Sequence, residues 1–109
     1  MANYILKKDA PILRCSNWAM DVLYENLHAM IFNNDLLFQN DQFEKFILKL
    51  NQETYGRGCI YVDIIDYIDE KNLQNFAMLV NKVIEKIKKT QKYDDDLIAL
   101  LHNFKENIL

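Results

Sequence analysis

Apolar residues recur along this chain with a period close to that of an α-helix. Ser16 precedes Trp18, Val22, Leu23, Leu27, Met30 and Ile31, a mostly i, i+4 pattern that predicts an amphipathic helix ending at Asn33-Asn34, with Trp18 anchoring it in the core. Asp41-Gln42-Phe43-Glu44 has the form of a capping box, and Phe43, Phe46, Ile47 and Leu50 follow at helical spacing, which predicts a second helix over roughly 41–52. The clearest stripe is Leu73, Phe76, Ala77, Val80, Val83, Ile84 and Ile87, closed by Lys86, Lys88 and Lys89 where the helix dipole is negative. It predicts a helix over 70–89. Asp94, Asp95 and Asp96 then open a last helix carried by Leu97, Ile98, Leu101, Phe104 and Ile108.

Two segments fit this period less well. Residues 1–14 hold Tyr4, Ile5 and Leu6 and then Pro11, which biases Ala10 away from helix, so they read as an extended or loosely ordered arm. Residues 59–68 are β-branched enough for a strand, but Val62, Ile65 and Ile68 set against Asp63, Asp66 and Glu70 have a helical period, and helix is the favoured reading. The expected fold is therefore all-α, a small single-domain helical bundle of about five helices over residues 1–109.

Composition supports that expectation. Half of the 109 residues are hydrophobic, and Gly56, Gly58 and Pro11 are the only glycines and proline, which leaves little turn material for an all-β fold. The net charge of −3 disfavours non-specific nucleic-acid binding and suits a basic protein partner. Cys15 and Cys59 have no metal or redox spacing and read as reduced thiols. No apolar run approaches a membrane span and no leader-like stretch opens the chain, so a cytoplasmic protein is expected.

Candidate chemistry is sparse. His28 and His102 lie on separate predicted helices without positioned partners. Gly56-Arg57-Gly58 lacks the spacing of a phosphate-binding loop, and the lysines at 82, 86, 88, 89 and 92 suit a helix C-terminus. Asp63, Asp66 and Glu70 at i, i+3 and i+7 form a weak metal constellation, because dedicated sites draw ligands from several elements. No catalytic or metal site and no cofactor is expected. The segment that stands out mixes tyrosines with acids: Tyr61, Asp63, Asp66, Tyr67, Asp69 and Glu70 combine stiff amphipathic surfaces with carboxylates that can pair with Lys or Arg, the mix favoured at protein interfaces. These six are the candidate partner-binding residues.

With its acidic charge, helical pattern and a Tyr55-Gly56-Arg57-Gly58-Cys59 turn leading into an aspartate-rich segment, the chain resembles the small immunity proteins of bacterial contact-dependent growth inhibition and related polymorphic toxin systems. The resemblance implies a cytoplasmic inhibitor, not an enzyme, that binds the C-terminal domain of one cognate toxin and occludes its active site. Such toxins are commonly nucleases, and a basic RNase of the EndoU class suits the charge. A different reading is a helical adaptor or regulatory subunit that binds another cytosolic protein through the same face.

Overall fold

The computed structural model describes residues 2–32, 39–54, 60–90 and 95–109. Within them the order is β1 (Asn3–Lys7), β2 (Ala10–Cys15), α1 (Asn17–Phe32), α2 (Asp41–Thr54), β3 (Tyr61–Asp63), α3 (Glu70–Thr90) and α4 (Asp95–Ile108), with a 3-10 turn at Ile64–Asp66. The fold is mixed, and the all-α expectation is corrected: a three-stranded sheet of order β2-β1-β3 packs with the helices. The predicted arm supplies two of its strands, β1 at the centre and β2 at an edge. β1 and β2 pair antiparallel with Ile5 opposite Leu13, while β1 and β3 run parallel with Ile5 opposite Val62.

Lys8 and Asp9 form the two-residue hairpin loop, with φ of 52° and 69°. Both lie in the left-handed region that matches the twist of a tight hairpin but is costly for residues with a Cβ. Glycine is scarce in this chain, and this turn uses none.

The segment favoured as a helix is corrected too. Ile60, Val62 and Ile64 are buried and Tyr61 is exposed, a period of two, and the chain turns only at Ile64–Asp66 before Ile68 returns to the core. Alternation at 60–64 competes with the helical spacing of Val62, Ile65 and Ile68, and pairing to β1 decides it.

The four helices match their predicted positions within a few residues. Ser16 caps α1 by accepting the Ala19 N–H at 3.2 Å. The cap of α2 is Asn40 rather than Asp41, because Asn40 Oδ1 accepts the Gln42 N–H at 2.8 Å. α3 packs against α1 and α4, and α4 also lies against β2. Phe43, Phe46 and Phe76 meet edge to face at 5.3 and 5.5 Å, with Phe76 shared between the two contacts. All three are buried. Trp18, expected in the core, is 54% exposed. It starts α1 on the side opposite Met20, Leu23 and Leu27, so helical geometry turns it to solvent.

Asn3 is 1% exposed and ties three elements together. Its amide nitrogen donates to the Cys15 carbonyl (3.3 Å) and to Asn17 Oδ1 (2.8 Å), and its Oδ1 accepts the Ile60 N–H (2.7 Å). The Tyr4 N–H in turn donates to the Ile60 carbonyl at 2.7 Å. One buried amide thus fixes where α1 begins and where the chain enters β3.

Candidate functional site

The six residues singled out from the sequence fall on one continuous stretch, β3 through the first turn of α3, but they divide into two kinds. Tyr61 is 69% exposed. Register places it beside Tyr4 and places Tyr4 beside Arg14, so the three side chains form a row across the solvent face of the sheet. The Tyr4 and Tyr61 rings meet edge to face at 6.0 Å, and Arg14 Nε donates to the Tyr4 hydroxyl at 3.1 Å. Tyr4 and Arg14 were missed in the sequence. The signal that could have found them is Leu13 in, Arg14 out, Cys15 in, the alternation of a half-buried strand.

Asp66, in the 3-10 turn, is also exposed, and its carboxylate makes no hydrogen bond or ion pair among the described residues. Asp69 and Glu70 are exposed but partnered. Gln42 Nε2 donates to Asp69 Oδ2 at 2.8 Å, while Gln42 Oε1 accepts from the Asp69 N–H (3.0 Å) and from Asn72 Nδ2 (2.9 Å). This links the starts of α2 and α3. Glu70 forms an ion pair with Lys8 of the hairpin loop. The hydrogen bond and charge of Lys8 hold the Glu70 carboxyl below its usual range, and Glu70 raises Lys8 in turn.

Asp63 and Tyr67 make contacts within the fold. The Asp63 carboxylate accepts the N–H groups of Lys8 (3.3 Å) and Asp9 (2.9 Å) in the strained hairpin loop, and that of Ile65 (3.0 Å) as the cap of the 3-10 turn. Desolvation pushes its pKa up, but the three N–H donors outweigh it and leave the carboxyl below its ordinary value. Tyr67 is half-buried with its ring 5.9 Å from Phe46.

The weak metal constellation does not assemble. Asp63, Asp66 and Glu70 lie on a strand end, a 3-10 turn and a helix start, and among the described residues no three His, Cys, Asp or Glu side chains converge as a metal site. Cys15 is buried, and desolvation pushes its thiol up to about 11, which suits a core residue. The turn at 55–59 with Cys59, together with Asn33, Asn34, Lys92 and Asp94, lies outside the described residues. No described helix is long and apolar enough to cross a membrane. No protein-family model matches the chain, and the comparisons with curated proteins and with solved structures find no match either.

Proposed function

We propose that this chain is an immunity protein that binds a basic cognate toxin domain of a bacterial polymorphic toxin system in the cytoplasm and blocks its active site by occlusion. The observation that carries the reading is the exposed Tyr61 on the solvent face of the sheet, followed within the same stretch by the exposed carboxylates of Asp66, Asp69 and Glu70, on backbone fixed by Asp63 and Gln42. A large aromatic with ordered surroundings loses little freedom on binding, and exposed carboxylates on the same stretch steer a basic partner. The contact set is therefore narrower than the sequence segment: Tyr61 and Asp66 touch the toxin, Asp69 and Glu70 add steering charge, and Asp63 and Tyr67 hold the scaffold. A nuclease cleft built for substrate phosphate is the complementary surface, and no chemistry is performed by this chain.

The test is to read the gene immediately upstream and co-express the C-terminal domain of its product with this chain. Survival of the host, and a complex whose association slows as salt screens these carboxylates, are expected; the Debye length is about 8 Å at physiological ionic strength. Continued toxicity with no complex would overturn the proposal.

A further inference from the structure

α1 carries apolar residues on two sides. Met20, Leu23, Leu27 and Ile31 face the core, while Trp18 (54% exposed) and Phe32 (42%) lie on the far side. At 100° per residue, Trp18, Asp21, Glu25, His28 and Phe32 fall within one narrow stripe, about 21 Å long at 1.5 Å per residue. Phe32 is held in place: its ring lies 4.6 Å from that of His28, which lies 5.7 Å from Tyr24. Between the two aromatic ends, Asp21 and Glu25 are exposed and form no ion pair among the described residues.

Charge is also segregated along the sequence. All 13 Lys and Arg residues lie outside 15–44, whereas Asp21, Glu25, Asp35, Asp41 and Glu44 lie inside it. We propose that this face of α1 is a second docking surface, and that its occupant is a Lys/Arg-bearing amphipathic helix of another protein. Trp18 and Phe32 would anchor the apolar side of that helix, and its cations would meet Asp21 and Glu25. A straight stripe four turns long with anchors at i and i+14 matches an incoming helix. Two alternatives are weaker on charge. An anionic membrane would be repelled by the two carboxylates, and a second copy brings its own net charge of −3.

The inference concerns a surface separate from the 61–70 segment and stands independently of the toxin partner. Trp18 is the only tryptophan, so its emission reports on the stripe itself. The experiment titrates the whole protein with a 16-residue amphipathic peptide of Leu and Lys, with a Leu/Glu peptide of the same pattern as control. A blue shift of Trp18 emission with the Lys peptide alone is expected. Asp21→Lys with Glu25→Lys should weaken binding by at least about tenfold, as should Phe32→Ala, whereas Asp95→Lys with Asp96→Lys and Tyr61→Ala should not. Each variant is checked for an unchanged helical spectrum, and Phe32→Ala serves should the charge reversal misfold. Equal response to both peptides, no shift, or indifference to the α1 substitutions would overturn the proposal. So would an equal shift with phosphatidylserine vesicles, or a sedimenting dimer whose Trp18 emission is already blue-shifted.

Discussion

The Asp63 carboxylate accepts the backbone N–H of Asp9 at 2.9 Å, across 54 residues of chain. That bond, with the Lys8 N–H at 3.3 Å, offsets the strain of two side-chain-bearing residues at positive φ, and the same carboxylate caps the 3-10 turn through Ile65. Asp63 thereby clamps the hairpin loop to β3.

Asp63→Ala should therefore act on stability. Loss of a cap costs typically about 1 kcal/mol, and the two loop N–H groups, being exposed, recover part of their bonding from water. The urea midpoint should fall accordingly, and Asp66→Ala, with no partner to lose among the described residues, should leave it within about 0.5 kcal/mol. Equal midpoints for the two variants would remove Asp63 from the clamp.

The same carboxylate makes stability depend on pH. Its folded pKa lies below the ordinary 3.8, so the unfolded chain binds more protons as pH falls through this range. The contribution is present in full above pH 3.8 and is lost as pH drops through the folded value. Glu70 adds to the trend with the same sign, its ordinary value being 4.5. Denaturant midpoints measured between pH 6 and pH 2.5 should fall less steeply in Asp63→Asn than in the wild type, and parallel curves would contradict the assignment.

Asn3→Ala should be the costlier polar substitution. It strands the Ile60 N–H in the core and frees the Cys15 carbonyl and Asn17 amide that the side chain joins. An unsatisfied buried donor alone costs about 1–3 kcal/mol. Hydrogen exchange at Ile60 and Tyr4 should quicken with the loss, since the same bonds hold β3 to β1.

Phe76→Ala removes the ring that Phe43 and Phe46 both touch, and a buried Phe→Ala change costs about 3–5 kcal/mol through lost transfer energy and residual cavity. Thermal unfolding measures it. A midpoint close to the wild type would mean the α2–α3 contact collapses around the gap.

The contrast between Phe76 and the hairpin explains what the sequence made legible. In α3 the stripe from Leu73 to Ile87 repeats over about four turns, so one misplaced residue cannot hide the period, and the helix is found within a residue of its end. β3 has three residues and too few repeats to outvote a helical alternative. The hairpin loop is Lys8-Asp9, without the glycine or asparagine that announces such turns, because the structure compensates from Asp63 and Glu70. Only contact across the chain makes that turn favourable. Residue type and spacing locate the candidate carboxylates as a segment, but not their bonding: hydrogen-bond partners sort Asp63 from Asp66.

Tyr61 and Asp66 are where binding and folding should separate. Tyr61→Ala gives up an exposed ring contact with Tyr4, and Asp66→Ala gives up no partner among the described residues, so both variants should melt near the wild type. Toward the proposed toxin domain they should differ sharply from it. Truncating a tyrosine at the centre of an interface commonly costs about 2 kcal/mol or more, equivalent to some thirtyfold in affinity. Removing a carboxylate that meets a cation in a desolvated cleft costs about 2–5 kcal/mol. Asp95→Ala, in the first turn of α4, is the control and should touch stability more than affinity. Calorimetric titration of the three variants decides the matter. If Tyr61→Ala and Asp66→Ala bind as the wild type does while Asp95→Ala does not, the toxin docks at the start of α4 and the surface around β3 is not the contact.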